Sequence, residues 1–343
     1  MNVARLLADV GGWPFGGDYR DVEGSVDSLY FVPADVLLLA EAHRLGIEGP
    51  EHLFGGVVPH AFVATKAITH PLVKRDAAAP EGWSREFAWR AGDAVLRGYT
   101  AFTYDDARHA ASALLREGPV RIKRVSGIGG AGQSVARSAD EADAAIAGIE
   151  AGEIEAVGVA IEEHLADSVT FSVGSVECMG SVIAYCGTQQ TTRDADGDEV
   201  YGGSTLEVVR GGFEELLASG LPEDRRNAVA LAQAYDAAAF AAYPAAFASR
   251  RNYDVLFGRD GQGRPRAGVL EQSWRIGGAS GAEVIALAAF KRNPGRTRVR
   301  CATVEIYDDE CALPPDAFVY YRGVDARAGP LTKYAIELDG YDA

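Results

Sequence analysis

Lys123 stands four residues ahead of a glycine run, Gly127 to Gly132, that reads GIGGAG. Glycines let a backbone turn tightly and bring its N–H groups against phosphate oxygens with no side chain between. An ammonium on the preceding strand can reach the same phosphates. The run satisfies G-x-G-x-x-G, but a dinucleotide-binding turn needs a helix to open directly after the glycines. Here Gln133, Ser134, Val135 and Ala136 extend the chain instead. The spacing therefore predicts a hairpin flap, with a tight turn that holds no ligand as the plainer alternative. There is no GK[ST] ending and no HRD or DFG, so a P-loop and a protein kinase are both excluded.

A second set of candidates lies toward the other end of the chain. Asp254, in NYDVLFG, and Glu271, in VLEQSWR, flank the polar turn GRDGQG. If the two runs pair, the carboxylates come side by side, as a magnesium ion shared with phosphates requires. A carboxylate in an apolar run is unfavourable unless paired or metal-bound. Glu271 is thus either a metal ligand or half of an ion pair with Arg275, and Arg275 could instead face a transferred phosphoryl group. Gly277, Gly278 and Ser280, in IGGASG, open a helix whose first amides suit a substrate carboxylate, or else simply cap a turn. Arg210, in VVRGG, is a further anion candidate, with an ordinary surface arginine as the alternative. None of the six histidines forms an i, i+4 pair or an acid cluster, and each reads as structural. DADGDE lacks glycine at the sixth position of a calcium loop and reads as a hairpin turn.

These residues need a scaffold, and the pattern supplies one from Gly98 onward. Gly98–Thr103 reads as a strand, Asp105 as the cap of a helix through Arg116, and Pro119–Val125 as a second strand. After the glycines come the short run QSVA, a helix ADEADAAIAGIEAG capped by Ser138, and a strand over Ala156–Glu163. Further strands are expected at Ser168–Val176 and Met179–Gly187, then an alanine-rich helix over Asn227–Ala242 and the hairpin that carries the two acids. Upstream, a helix is expected from Ala34 to Arg44, and residues 71–95 read as a connector plus helix. The divisions are 1–95, a small N-terminal α/β unit with its connector; 96–165, a lobe with the glycine flap; and 166–343, a larger lobe with the acids and a tail.

Composition bounds the partners. Lysine and arginine total 33 against 49 aspartates and glutamates, a net charge of −16, which argues against nucleic acid and anionic membrane. A hydrophobic share of 48% in 343 residues supports a sizeable core without staples. The four cysteines lack zinc spacing and read as buried thiols of a reducing compartment. No leader or spanning segment is legible, so the expected location is cytoplasmic.

The order of Lys123 before GIGGAGQ, a strand ending IEEHL, then D…LEQSWR resembles the ATP-grasp superfamily over about residues 98–292, closest to a bacterial branch known as a domain of unknown function. The resemblance implies an α+β or α/β fold in which two α+β lobes clasp ATP. It implies Lys123 on the α- and β-phosphates, Gly129, Gly130 and Gly132 as the flap, and Lys66, in FVATKAITHP, as a second nucleotide lysine. Glu162 falls where the superfamily bonds adenine, with Glu163 and Leu165 offering backbone contacts. Asp254 and Glu271 match the magnesium acids, Arg275 the arginine of E-x-N-x-R, and Arg251 an arginine that some amide ligases aim at an acyl-phosphate. Ser273 replaces the usual asparagine, which leaves the second metal position open. The implied activity is a carboxylate–amine or carboxylate–thiol ligase using ATP and Mg2+ on small-molecule substrates. A small-molecule kinase of the same fold and a non-catalytic nucleotide-binding scaffold remain as alternatives, and a homodimer is compatible with the sequence.

Overall fold

The computed structural model describes residues 2–21, 29–127, 132–194, 197, 199–325 and 328–338. Helix α1 (Asn2–Gly11) buries Val3, Leu7 and Val10, the stripe that its period dictates. Strand β1 (Leu37–Leu38) runs straight into α2 (Leu39–Arg44), and β2 (Gly56–Val58) pairs parallel with β1. The helix expected from Ala34 thus begins only at Leu39, because Leu37 and Leu38 are drawn into pairing with Val57 and Val58. Helix α3 (Arg85–Ala91) closes the connector.

The first lobe follows: β3 (Gly98–Ala101), α4 (Tyr104–Leu115), β4 (Val120–Arg124), β5 (Gln133–Ala136), α5 (Ala139–Ala147), α6 (Ala151–Val157) and β6 (Val159–Glu163). Its strands form one antiparallel sheet in the order β3-β6-β4-β5. Alanine-rich α4 and α5 lie close to it over Ile122 and Ile161, with Ile146 of α5 buried in the same cluster. Thr103 and Ser138 cap the two helices through their hydroxyls, each accepting at 3.2 Å from the backbone N–H three residues on. The single helix expected from Ala139 breaks at Gly148, and the last strand starts at Val159 because residues 151–157 are helical, ending at Gly158 with φ +86°.

The second lobe comprises β7 (Ala166–Cys178), β8 (Ser181–Arg193), β9 (Glu199–Arg210), α7 (Phe213–Ala218), α8 (Glu223–Ala242), β10 (Phe247–Ala248), β11 (Arg250–Arg259), β12 (Pro265–Ser273), α9 (Ser280–Arg292), β13 (Arg298–Ile306), β14 (Phe318–Asp325) and β15 (Gly329–Leu338). Eight of its strands make one antiparallel sheet, β12-β11-β7-β8-β9-β13-β15-β14. Strand alternation sends Ala184 and Cys186 to the α8 side, while Ile183 and Tyr185 face α9. Strands β9, β13, β14 and β15 lie in stretches read from sequence only as a turn and a tail.

The N-terminal 95 residues do not stand apart. β10 pairs antiparallel with β2 and completes a three-stranded sheet from both ends of the chain. α1 packs on α9, and α3 on α8. Among the described residues, Cys178, Cys186 and Cys301 are buried free thiols, and no helix is long and apolar enough to cross a membrane.

The close fit of the large sheet is testable at Gly174 of β7, where an added Cβ would collide with the Tyr185 ring and with the Arg251 carbonyl oxygen. The carbonyl cannot move without breaking the ladder. Gly174→Ala is expected to lower unfolding stability by about 1–3 kcal/mol, read as a lower urea midpoint; an unchanged midpoint would mean that the strands can separate there at no cost.

Candidate functional site

The hairpin of β11 and β12 sets the carboxylates directly opposite each other, Asp254 against Glu271. Between Asp254/Glu271 and Val255/Val269 the register shifts, which makes Leu270 an extra residue on β12. The bulge resets the side-chain phase. Val269, Gln272 and Trp274 all bury on the α8 side, and Glu271 is turned out beside Asp254. The Gln189 amide on β8 donates to Asp254 at 2.7 Å, so that acid has a neutral partner as well.

Two carboxylates at such a pair repel each other in low dielectric. Burial, and then the charge of Glu271, push the Asp254 carboxyl up to about 7, against the pull of Lys66 and of Gln189. Lys66 is 5% exposed and stands 3.0 Å from Glu271. Its ammonium also donates at 2.8 Å to the carbonyl of Gly127, the first residue of the glycine run. One lysine therefore links the start of the glycine run to the paired acids.

Lys123, on β4, has a different partner. It lies 2.5 Å from Glu162 of β6, whose other oxygen is 3.0 Å from His70 Nε2. All three side chains are almost fully buried. Burial pushes the Glu162 carboxyl up, but the Lys123 charge and the hydrogen bond with His70 outweigh it and hold it down at about 2. Glu163, next in sequence, points the other way across the strand. It takes Arg97 of its own lobe at 2.9 Å and Arg266 of β12 at 3.0 Å, and the second of these charge-assisted bonds joins the two lobes.

Behind the acids, Arg250 is buried against α9, with Nη2 2.8 Å from Glu283 Oε1 and Nε 2.9 Å from Oε2. Its Nη1 donates to the Ser273 carbonyl at 2.9 Å and to the Arg275 carbonyl at 2.5 Å. Tyr185 donates to the same glutamate, and Asn252 to Tyr185. This wedge holds the turn after β12 against the sheet.

The family model described as "Protein of unknown function (DUF3182)" matches residues 1–335. The chain belongs to that family. None of the curated proteins matches it. Among solved structures, this DUF3182 member is similar to phosphoribosylamine–glycine ligase from Thermotoga maritima, at 17% identity and a TM-score of 0.49, over 89% of this chain and 78% of the ligase. Biotin carboxylase from Campylobacter jejuni, in complex with a β,γ-ATP ligand, matches at 11% identity and a TM-score of 0.45, over 89% and 71%. Rhizobium etli pyruvate carboxylase matches at 14% identity and a TM-score of 0.50, over 89% of this chain and 28% of that one. Identities this low speak to the fold alone, and the fold is ATP-grasp.

Within the DUF3182 chain, the site residues expected from sequence divide three ways. Asp254, Glu271 and Lys66 come together, and Lys123 and Glu162 form a buried pair of their own. Glu163 and Leu165 follow on the strand that joins the lobes, with the Glu163 side chain committed to two arginines and Leu165 buried beneath Gly258. Gly132 has φ +72° and its carbonyl accepts from the Arg124 amide at 2.9 Å just ahead of β5; Gly129 and Gly130 lie outside the described residues. Ser273 follows Glu271 on the site face, its hydroxyl 3.4 Å from Arg250 Nη1. Gly278 packs under Tyr201, and Ser280 accepts from the Gly277 amide at 3.0 Å where α9 begins. Arg275 is half-buried, 3.6 Å from Asp35, so Glu271 takes Lys66 rather than Arg275 as its cation.

Two expectations are corrected. Arg251 is three residues from Asp254 and so points to the opposite face, where it pairs with Asp236 at 3.2 Å and lies over Phe240 of α8. Arg210 donates to the Phe290 carbonyl at 3.0 Å and stacks on that ring, capping the negative end of α9. It is structural. Sequence reading missed Gln189, Arg250 and His70. Only Arg250 carried a signal, as the charged residue in phase with Asp254.

The donor set fits a single Mg2+ ion. Asp254 and Glu271 supply two oxygen ligands whose mutual repulsion a cation would relieve, and phosphate oxygens can complete the shell. Among the described residues, no group of three or more His, Cys, Asp or Glu gathers for a metal. Ser273 suits a second ion poorly, since its hydroxyl already lies beside a guanidinium.

A carboxyl raised from 3.8 to about 7 on folding destabilises the protein, by an amount that grows as pH climbs from 3.8 and levels off above about 7. Asp254→Asn removes that penalty. In EDTA, its Tm is expected to exceed that of wild type by a few degrees at pH 8, with the gap closing as pH falls toward 4. Equal values at pH 8 would show that Asp254 carries no such burden.

Proposed function

We propose that this protein is an ATP- and Mg2+-dependent ligase that joins a small-molecule carboxylate to an amine, or to a thiol, by way of an acyl-phosphate. The observation that carries the reading is the in-register pair of Asp254 and Glu271, with Lys66 running from Glu271 to the base of the glycine flap. Two facing acids, a buried lysine and a glycine hairpin make up a set suited to the charge on a transferring phosphoryl group.

On this reading Asp254 and Glu271 hold the metal, which when bound neutralises phosphate oxygens and makes the terminal phosphorus easier to attack. The residues of the chain do the rest. Lys66 exchanges the carbonyl of Gly127 and the Glu271 oxygen for phosphate oxygens, which frees the flap to close over them. Lys123 turns from Glu162 toward the α- and β-phosphates, leaving Glu162 as an acceptor for the adenine amino group. A substrate carboxylate oxygen attacks the terminal phosphorus, and the bridging oxygen departs with ADP. The closed flap excludes the water that would hydrolyse the acyl-phosphate. An amine nitrogen then attacks the acyl carbon, phosphate leaves, and the amine gives up its proton. Arg275, two residues past the end of β12, would steady the departing phosphate. A second reading, phosphorylation of a small molecule with no later condensation, is favoured by the turn of Arg251 away from the acids.

An ADP-release screen of carboxylates with and without amines separates the two. Release that needs both substrates supports the ligase; a stable phosphorylated product from one substrate supports the kinase. Mg-ATP is expected to raise the Tm of wild type and to lose that effect in Lys123→Ala. Glu271→Gln is expected to keep nucleotide binding and to lose turnover by about 10²-fold or more. Absence of any Mg-ATP shift in wild type would defeat both enzyme readings, and undiminished turnover in Glu271→Gln would remove that residue from the metal site.

A further inference from the structure

The connector that leads from Lys66 into the first lobe borders a half-open cavity of about 360 Å3, within the size range of small-molecule pockets. Its walls include Lys74, Arg75, Trp83, Ser84 and Arg85. The frame is held rigidly. On one side, the chain at Leu72 pairs with Thr100 of β3, and the Thr100 amide donates to the Pro71 carbonyl at 2.9 Å. On the other, the Trp83 ring is fixed by Phe62 and Phe102, with centroids 5.5 and 5.2 Å away, and the Ser84 amide donates to Tyr243.

The charges do not balance as they do in the cleft. Lys74 is committed to Asp106 at 3.0 Å and feels Asp76 and Asp105 as well. Arg75 and Arg85 have no hydrogen-bond or ion-pair partner among the described residues. Two guanidiniums without an ion-pair partner among the described residues thus line one pocket, and no acid is among its lining residues. Guanidinium forks match the paired oxygens of phosphate and carboxylate, and a doubly charged oxyanion satisfies two of them at once. The cavity is also separate from the cleft. It lies at the β3 edge of the small sheet, whereas Lys123 and the flap hairpin belong to β4 and β5, beyond β6.

We propose that this cavity binds a small doubly charged oxyanion, a phosphate monoester or a dicarboxylate, at a site distinct from the nucleotide cleft. The proposal stands whatever the cleft binds. Calorimetric titration of the full chain with glycerol 3-phosphate and, separately, with succinate tests it. One of the two is expected to bind wild type at a 1:1 ratio, and which one does so identifies the oxyanion. Replacing both arginines (Arg75→Gln with Arg85→Gln) is expected to weaken that binding by at least about tenfold. Both side chains are exposed, so the fold, checked by circular dichroism, is expected to persist. Lys123→Ala is expected to leave binding unchanged. No binding of either probe, undiminished binding in the double variant, or loss of binding in Lys123→Ala overturns the proposal.

Discussion

Two carboxylates held opposite each other on neighbouring strands are the constraint around which the rest of this structure is arranged. Asp254 and Glu271 gain nothing from each other; each raises the free energy of the other's ionised form. The fold accepts this because the cations and amides that answer it come from elsewhere. Lys66 arrives from the N-terminal segment and Gln189 from the middle of the large sheet. Arg250, behind the acids, is neutralised by Glu283 and so adds only a modest pull. Remove the opposition and there is little reason for the bulge at Leu270 or for a buried lysine at position 66.

The small lobe solves the reverse problem, since its cation needs an acid. Lys123 is too deep to stand alone, and Glu162 with His70 absorbs its charge. Glu163 serves as a brace to Arg97 and Arg266, so adjacent glutamates on one strand do different work, one within the lobe and one between lobes. The two lobes thus meet with their charges matched. A polyanion entering between them would have to exchange partners with Lys66 and Lys123 rather than meet free cations, which ties its binding to rearrangement of the flap base at Gly127.

Much of this was legible beforehand. The β4–β5 hairpin, the helix capped by Ser138 and the pairing of the two acidic strands all follow from local rules: glycine punctuation, a hydroxyl cap and period-two runs. Asp105 is the cap expected of α4, whereas Thr103 accepts from the Asp106 amide and the helix starts at Tyr104. The C-terminal strands were not legible, since VRCATVEIYDDE and LTKYAIEL give no function and little contrast of faces. The short helix at Leu39 was overdrawn because a parallel partner at Val57 cannot be read from Leu37 alone. The resemblance points to Arg251, whereas phase along the strand decides that Arg250 shares a face with Asp254 and that Arg251 turns to Asp236.

The sequence by itself determined the order of the small-lobe elements, the net acidic charge and the identities of the residues with chemistry to offer, because those depend on composition and on neighbours a few positions apart. The tertiary structure alone decided the partners. Lys66 meets Glu271 across 205 positions, and Lys123 meets Glu162 instead of open solvent. A charge buried in a low-dielectric interior takes whichever opposite charge the fold brings within a few ångströms, and that distance is set by the packing of sheets, not by spacing along the chain.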